Sequence, residues 1–276
     1  MTLAEALRAA AERLAARGVP DPQVDAEWLF AKALGCSRAG LALARGRELT
    51  PGEEDEAGVL VARRAAREPL AYVLGEWGFR RLTLRTDARA LVPRPETEVV
   101  VERCLELLNG LAEPLVLDVG VGSGAIALAL VDEHPGARAQ GIETSAAGLA
   151  LADENARRTG LAARVDFELG DAAALPPGPF DLVVSNPPYV EPEEFEALEP
   201  EVRDWEPRAA LVGPDTTAAV VSGAWHCLRP GGFVVLETHA ASAGDVAGLV
   251  RDRGYEGSRI TRDLAGRERV VEGRRP

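Results

Sequence analysis

The chain has 276 residues, which exceeds one typical domain and favours a large domain joined to a smaller one. Its 44 acidic and 31 basic residues give a net charge of −13, which repels phosphate backbones and argues against a protein whose main task is to hold nucleic acid. No apolar run approaches the roughly 20 residues that cross a bilayer. We therefore expect a soluble, cytoplasmic protein without membrane contact.

Residues 1–70 predict helices only. Three helix-start signals stand at Thr2-Leu3-Ala4-Glu5, Asp21-Pro22 and Thr50-Pro51-Gly52-Glu53. The first and third have the spacing of a capping box, and proline is favoured in the first turn of a helix. This part is predicted to be a small helical bundle. Residues 71–92 follow as a link, in which Glu76–Phe79 and Leu82–Arg85 predict a β-hairpin.

Residues 93–276 alternate between apolar strands and amphipathic helices. The predicted strands are Leu115–Val119, Ala137–Ile142, Val165–Leu169, Phe180–Ser185 and Phe233–Glu237. The predicted helices are Ala125–Val131, Ser145–Arg158, about Thr217–Leu228 and Asp245–Arg253, with a turn at Arg229–Gly232. Two tail segments near Arg259 and Val270 would close the sheet as an antiparallel pair. The pattern predicts an α/β fold with a doubly wound, mostly parallel seven-stranded sheet.

A glycine-rich turn separates the first of these strands from its helix. It consists of Gly120, Val121, Gly122, Ser123 and Gly124, preceded by Asp118. Glycines let the backbone approach a ligand, and the helix start offers unpaired N–H groups. Glu143, at the end of the next strand, has the spacing of an acid that accepts from ribose hydroxyls. The sequence predicts a nucleoside-bearing cofactor here.

Two cofactors fit the glycine turn. With Ala125 in the last position, the turn satisfies the loose dinucleotide fingerprint, so the glycines alone do not exclude NAD. S-adenosylmethionine has a cationic amino-acid end, which favours an acid near the turn, and Asp118 supplies one. Asp171, followed by Ala172, ends the third strand and either accepts from an adenine amino group or caps a turn.

The fourth strand is followed directly by Asn186-Pro187-Pro188-Tyr189. The prolines stiffen the chain and hold Asn186 extended, beside the predicted cofactor pocket. The Asn186 side chain and the Pro187 carbonyl offer two acceptors that can hold both hydrogens of a planar –NH2 group. Tyr189 would pack on the flat face of that group. This predicts methyl transfer to an amide or exocyclic amine, with Asn186, Pro187 and Tyr189 as catalytic residues.

These motifs resemble class I S-adenosylmethionine-dependent methyltransferases with an Asn-Pro-Pro-Tyr motif. Within that class, the chain closely resembles the release-factor glutamine methyltransferases (the PrmC/HemK family) over nearly its whole length. The segments that carry this closer resemblance are Glu68–Gly75, Trp77–Phe79, Leu91–Glu98, Val202–Pro207 with Ala210-Leu211, and Arg262–Arg267.

The resemblance implies N5-methylation of the glutamine in the Gly-Gly-Gln motif of class 1 peptide chain release factors. By position, Gly120–Gly124 and Glu143 would bind S-adenosylmethionine, Asn186–Tyr189 would bind the glutamine amide, and the N-terminal bundle would help dock the release factor. Some relatives place an aromatic residue where this chain has Ala172, which leaves adenine stacking there open.

Other readings stay open. Arg94 and Glu96 either border the substrate channel or only begin a helix. The three histidines form no metal-ligand spacing, so no metal is predicted. A ribosomal-protein glutamine or a nucleobase amine is an alternative substrate, although the net charge disfavours DNA. An NAD-linked oxidoreductase lacks an obvious hydride-transfer partner, and a non-catalytic binding module would not need Asn186.

Overall fold

The computed structural model describes residues 1–213 and 216–276. In chain order, its elements are α1 (Leu3–Ala15), α2 (Pro22–Ala33), α3 (Arg38–Leu43), α4 (Pro51–Ala65), α5 (Leu70–Leu74), β1 (Glu76–Phe79), β2 (Leu82–Arg85), α6 (Pro95–Leu108), β3 (Leu115–Val119), α7 (Ala125–Glu133), β4 (Arg138–Glu143), α8 (Ala146–Arg158), β5 (Val165–Leu169), β6 (Phe180–Ser185), α9 (Pro200–Arg203), α10 (Arg208–Leu211), α11 (Thr216–Cys227), β7 (Leu228–Glu237), α12 (Ala243–Asp252), β8 (Glu256–Arg262) and β9 (Glu268–Arg274).

The chain divides into two compact units. The first unit is Met1–Glu76 together with Leu198–Trp205, and the second unit is Trp77–Ala197 together with Glu206–Pro276. The sequence placed residues 198–205 with the larger domain, whereas the structure packs them with the N-terminal helices. In the described residues, no helix is both long enough and apolar enough to cross a bilayer.

Helix starts in the first unit follow the capping chemistry of the sequence. The Thr2 side chain accepts from the Glu5 backbone N–H, and Glu5 accepts in return from the Thr2 backbone, forming a capping box. Thr50 and Glu53 form the same box at the start of α4. Each box satisfies backbone donors that the first turn leaves without intrahelical partners. The helices α3 and α5 were not predicted, because they are only 6 and 5 residues long and have too few turns for periodicity.

A buried ion-pair network joins α9 to the helices of the first unit. Arg64 is only 5% exposed and contacts Asp25 at 2.6 Å and Glu201 of α9 at 2.8 Å. Arg67 also pairs with Glu201. A buried guanidinium without its carboxylates would be costly, so these pairs explain why residues 198–205 lie here.

The second unit contains the predicted seven-stranded sheet, with strand order β5-β4-β3-β6-β7-β9-β8. Within this sheet, β9 runs in the direction opposite to the other six strands, so its pairings with β7 and β8 are antiparallel. The chain moves outward from β3 to β4 on one side and later returns to β6 on the other. The carboxyl ends of β3 and β6 therefore flank the point where strand order reverses, which is where open α/β sheets bind ligands.

Apolar side chains cover both faces of this sheet. Val116 and Leu182 belong to one buried layer, which includes residues of α6 and α7. Leu117 and Val183 belong to the opposite layer, with residues of α11 and α12. Successive strand residues alternate between faces, so the near-continuous apolar strands of the sequence are explained by helices on both sides.

The turn predicted at Arg229–Gly232 instead lies inside β7, which starts at Leu228. The pairing with β6 shifts between Phe180 and Leu182, so these four residues form an irregular bulge. Gly231 has φ of 84°, which glycine adopts without a Cβ clash. Its N–H donates to Arg275 O at 2.8 Å, so strand pairing continues where the composition suggested a break.

Candidate active site

The glycine-rich turn follows β3, and its conformation requires glycine. Gly120, Gly122 and Gly124 have φ of 83°, 55° and 83°. Apart from its two chain neighbours, no atom of the described residues lies within 4 Å of where a side chain on Gly120 would begin, so the space beside that residue is open. Backbone N–H groups of Gly120 and Val121 donate to Ile142 O at 2.9 and 3.1 Å, which anchors the turn to β4. The turn thus presents backbone at close range to an open space, as a bound nucleoside cofactor requires.

Asp118 is a buried carboxyl with one unused oxygen. It is 1% exposed, and its Oδ2 accepts from the Ala127 backbone N–H at 3.1 Å. In the part of the chain that the structure describes, Oδ1 is buried and has no hydrogen-bond partner. Burial raises the pKa of Asp118 to about 7, and the nearby charge of Glu143 adds to the rise. A cationic group placed at Oδ1 would supply the missing partner and favour the ionised form.

Glu143 ends β4 beside the same turn. Its Oε2 accepts from the Gly122 N–H at 2.8 Å, and its Oε1 accepts from the Ser145 N–H at 2.9 Å. These two bonds hold the carboxylate at the edge of the glycine turn. Carboxylate oxygens retain lone pairs beyond those two bonds, so Glu143 can still accept from ligand hydroxyls.

The structure gives each of the remaining predicted cofactor residues, Ser123, Asp171 and Ala172, a contact within the protein. The Ser123 carbonyl accepts from Asn155 Nδ2 at 2.9 Å, which ties the turn to α8. Asp171 is exposed, and its Oδ1 accepts from the Ala173 N–H at 2.8 Å. The side chain therefore caps a turn, one of the two roles that the sequence left open. Ala172 is buried in the apolar layer beside α11.

Asn186 follows β6 at the same edge of the sheet. Ser185 pairs with Val119 in the ladder, and Ser185 Oγ donates to Val119 O at 2.7 Å. Because the two strands are parallel and in this register, the residues that follow them, Asn186 and Gly120, lie at one edge. The structure thus brings Asn186 next to the glycine turn.

The Asn186 side chain contacts a buried polar cluster. Its Nδ2 donates to Thr97 Oγ1 at 3.5 Å, and Thr97 Oγ1 donates to Glu237 Oε2 at 2.7 Å. Tyr189 OH donates to Glu237 Oε1 at 3.4 Å. Within residues 1–213 and 216–276, neither Asn186 Oδ1 nor the Pro187 carbonyl oxygen has a hydrogen-bond partner. Neither of the two acceptors that the sequence predicted is therefore used by a partner within the described residues.

Burial governs the ionisation of this cluster. Glu237 is 1% exposed, and desolvation raises its pKa, opposed first by the hydrogen bond from Thr97. Desolvation, and then the charge of Glu237, raises the pKa of Tyr189 to about 12. Tyr189 is thus a neutral hydroxyl near pH 7 and serves as a hydrogen-bond donor. Its ring centroid lies 6.3 Å from that of His239.

Two family models match the chain. One is the PrmC N-terminal domain over residues 5–75, and the other is a methyltransferase domain over residues 116–205. A protein of Cereibacter sphaeroides named release factor glutamine methyltransferase is 42% identical, covering 100% of this chain and 99% of its own. A protein of the same name from Deinococcus radiodurans is 42% identical with the same coverage. The chain belongs to the release factor glutamine methyltransferase family. The resemblance predicted from its motifs is confirmed.

Solved methyltransferase structures share the fold of most of this chain. The ribosomal protein L11 methylase of Lactobacillus delbrueckii subsp. bulgaricus aligns with a TM-score of 0.51 at 18% identity, covering 68% of this chain and 82% of its own. A T. thermophilus 16S rRNA methyltransferase, solved with S-adenosylmethionine and guanosine, aligns at 0.54 and 20% identity, covering 73% of this chain and 50% of its own. At such identities the likeness shows the fold alone, and it confirms the predicted α/β architecture.

Arg94 and Glu96 of this family member both form ion pairs at the start of α6. Arg94 Nη2 contacts Glu206 Oε1 at 2.5 Å, and Glu96 Oε1 accepts from Arg267 Nη2 at 2.7 Å. The Glu206 side chain is 1% exposed and the Arg94 side chain 35% exposed, so the pair lies at a boundary with solvent. Both residues precede Thr97, which places them near the Asn186 cluster.

Sequence reasoning missed Thr97 and Glu237 as members of the site. One signal for Glu237 was available, because it ends β7 just as Asn186 follows β6, and Leu236 pairs with Ser185. Carboxyl ends of adjacent parallel strands meet at one edge. Thr97 lies inside the Leu91–Glu98 segment that carried the resemblance, but a threonine in the first turn of a helix gives no sign of a partner on a distant strand.

Proposed function

We propose that this protein methylates the N5 side-chain amide of the glutamine in the Gly-Gly-Gln motif of class 1 peptide chain release factors, with S-adenosylmethionine as the methyl donor. The observation that carries the proposal is a pair of acceptors, Asn186 Oδ1 and the Pro187 carbonyl, that follow β6 beside the glycine turn and have no hydrogen-bond partner in the described residues. Family membership supports the choice of substrate.

The acceptor pair suits an amide nitrogen. An amide lone pair is delocalised into the carbonyl, so the nitrogen is a poor nucleophile. Two acceptors that hold both N–H bonds stabilise the positive charge that develops as nitrogen becomes pyramidal. The amide nitrogen would form a bond to the methyl carbon as the bond between that carbon and the sulfonium sulfur breaks, which leaves S-adenosylhomocysteine. One N–H proton, which becomes acidic only after transfer, would then pass to water. No strong base is therefore needed before attack.

The residues at the glycine turn fit S-adenosylmethionine. When bound, this cofactor supplies an electrophilic methyl group on a sulfonium sulfur. Asp118 Oδ1, which has no partner among the described residues, suits its ammonium group. Glu143 suits its ribose hydroxyls, and the open space at Gly120 admits it at close range. Other residues that we assign to the cofactor are Val121, Gly122, Ser123, Gly124, Asp171 and Ala172, together with Asn186, which would face only the reacting methyl group.

The glutamine amide would contact Asn186, Pro187, Pro188 and Tyr189. Tyr189 would pack against the flat face of the amide, and Pro188 stiffens the segment. Arg94 and Glu96 would border the substrate channel. Their ion pairs leave Arg94 one-third exposed, so part of the guanidinium remains accessible.

We propose that the helices of the first unit help dock the release factor. The match of residues 5–75 to the PrmC N-terminal domain supports this assignment. The net charge of −13 supports a protein partner over a nucleic acid, and we propose no stable nucleic-acid or membrane binding. Translation termination would place the reaction in the cytoplasm.

The test is methyl incorporation from labelled S-adenosylmethionine into a purified class 1 release factor. The matched control is the same factor with Gln→Ala in its Gly-Gly-Gln loop. We expect label in the first and background in the second. Equal labelling of both would refute the glutamine as the target, and labelling only of ribosomal protein or nucleic acid would replace the proposed substrate.

A further inference from the structure

We propose that Thr97 and Glu237 are positioning residues that decide which end of the Asn186 amide faces the substrate. The inference rests on the proposed function, because it concerns how Asn186 accepts from an amide –NH2 group. Neither residue needs to touch the substrate. Both act through the hydrogen-bond directions of the chain Glu237–Thr97–Asn186.

The orientation of an asparagine amide is a chemical choice between two nearly identical shapes. The oxygen and the NH2 group of Asn186 occupy similar volumes, so packing alone does not distinguish them. With Oδ1 toward the substrate, the side chain accepts one amide hydrogen. With Nδ2 there instead, two donors would face each other. The productive orientation therefore has to be imposed by a neighbour.

Glu237 sets the direction of the chain. An ionised carboxylate can only accept, and each of its oxygens receives a hydroxyl, Thr97 Oγ1 at 2.7 Å and Tyr189 OH at 3.4 Å. Glu237 is 1% exposed, so water does not readily compete for these bonds. The 2.7 Å contact has the length expected when the Thr97 hydroxyl donates its proton to an ionised Glu237 carboxylate.

Thr97 then transmits this direction to Asn186. A threonine hydroxyl has a single proton, and once that proton is given to Glu237 only oxygen lone pairs remain. Thr97 Oγ1 can therefore only accept from Asn186, which turns Nδ2 toward it at 3.5 Å. Oδ1 is left to face the open side of the site. Thr97 is 5% exposed, so the arrangement is enclosed.

The chain predicts an unusual order of variant effects. In Glu237→Met the Thr97 hydroxyl loses its acceptor and becomes free to donate to Asn186 Oδ1, which favours the wrong orientation. In Thr97→Val no hydroxyl remains, so neither orientation of the Asn186 side-chain amide is favoured by a hydrogen bond from this position. Adding Thr97→Val to Glu237→Met removes the misdirecting donor, so the double variant should be more active than Glu237→Met alone.

Steady-state kinetics on the release factor tests this order. We expect kcat to fall about 30-fold or more in Glu237→Met, about 3- to 10-fold in Thr97→Val, and by the Thr97→Val amount in the double variant, on the scale of one misdirected hydrogen bond. Thr97→Ser keeps the hydroxyl and should stay within about 2-fold of wild type. S-adenosylhomocysteine affinity should not change in any of them.

Glu272→Gln provides the matched control. Glu272 is another buried carboxylate of the same sheet, 4% exposed and paired with Arg103, and its substitution should leave kcat unchanged. Thermal unfolding and S-adenosylhomocysteine binding identify any variant that fails to fold. Thr97→Ser and Thr97→Val carry the test alone if Glu237→Met does not fold.

The outcomes separate the inference from the proposed function. A double variant less active than Glu237→Met, or Thr97→Ser as impaired as Thr97→Val, would overturn the inference while wild-type methylation still upheld the function. Absence of glutamine methylation by the wild-type protein would instead overturn the proposed function.

Discussion

The two halves of the candidate site are built in different ways. The cofactor half consists mainly of the backbone of the glycine turn after β3, where the glycines have positive φ. Its two acids are Asp118 in β3 and Glu143 at the end of β4. The amide half consists of side chains from α6, β7 and the segment after β6, and its bonds join residues 48 to 140 positions apart. Local chain geometry forms the first half, whereas long-range packing forms the second.

Buried carboxyls show the same contrast. Asp118, in the cofactor half, keeps one oxygen without a partner in the described residues, whereas both oxygens of Glu237, in the amide half, receive hydroxyls. An unpartnered buried oxygen is costly unless a ligand supplies the partner, and a satisfied one fixes its neighbours. We infer that the cofactor half is completed by its ligand, while the amide half is organised before the ligand arrives.

The largest effect should come from Asn186→Ala. This change removes one of the two acceptors for the amide, and kcat should fall by about 10²- to 10³-fold, the scale of losing one preorganised transition-state contact. The affinity for S-adenosylhomocysteine, measured by calorimetry, should change by less than about 2-fold. A variant that lost cofactor affinity and kept kcat would assign Asn186 to the cofactor half and break the division.

Glu143→Ala should show the opposite pattern. It removes the acceptor assigned to the ribose and the bonds to the Gly122 and Ser145 N–H groups, so S-adenosylhomocysteine should bind about 10- to 100-fold more weakly. At saturating cofactor, kcat should fall far less. Glu143→Gln keeps one carbonyl acceptor and should lose less affinity than Glu143→Ala; equal losses would mean that the charge of Glu143, not its hydrogen bonds, binds the cofactor.

The cofactor half was largely predictable from the sequence. Leu115–Val119, Val165–Leu169 and Phe180–Ser185 have the predicted bounds, because each is a short strand bounded by turn residues. The glycine turn and Glu143 lie within one strand–helix–strand unit, in which the fold itself brings them together. Spacing alone carries that information.

The sequence predicted Asn186–Tyr189 of the amide half, and offered Arg94 and Glu96 as its border. Its partners Thr97 and Glu237 are 140 positions apart, and their contact depends on how α6 packs beside β7. Residues 198–205 were misplaced for a similar reason, because the pairing of Glu201 with Arg64 joins positions far apart in the chain. A pattern read along the chain contains neither the register between distant strands nor the partners of isolated charged residues.

Asp118→Asn should flatten the pH dependence of cofactor binding. Asp118 has a pKa of about 7 in the unbound protein, and a cationic ligand favours its ionised form. Affinity for S-adenosylhomocysteine should thus rise with pH by at most about 10-fold per pH unit until about pH 7. Above that pH it should stay constant. Above pH 7, Asp118→Asn should bind about 10-fold more weakly. An unchanged pH profile in the variant would remove Asp118 from the site.

The same substitution should stabilise the unbound protein at high pH. The folded pKa of about 7 exceeds the ordinary value of 3.8, so the free energy of unfolding falls as pH rises between those values. At 1.36 kcal/mol per pKa unit, the loss above pH 7 is at most about 4 kcal/mol. Asparagine carries no charge, so Asp118→Asn should not show this fall. Thermal unfolding at pH 5 and pH 8 measures the difference between wild type and variant.

The smallest effect should come from Asp171. One of its carboxylate oxygens caps the local turn through the Ala173 N–H, and the residue is exposed, so water competes with any adenine contact. A net contribution near 1 kcal/mol corresponds to a change of about 5-fold in affinity.

Asp171→Asn keeps an oxygen for the turn but substitutes a donor for the second acceptor. If Asp171→Asn binds S-adenosylhomocysteine as wild type does while Asp171→Ala is weaker, the side chain serves the turn. Equal weakening of both would show that the carboxylate accepts from adenine, and would extend the cofactor half from backbone turns to an exposed side chain.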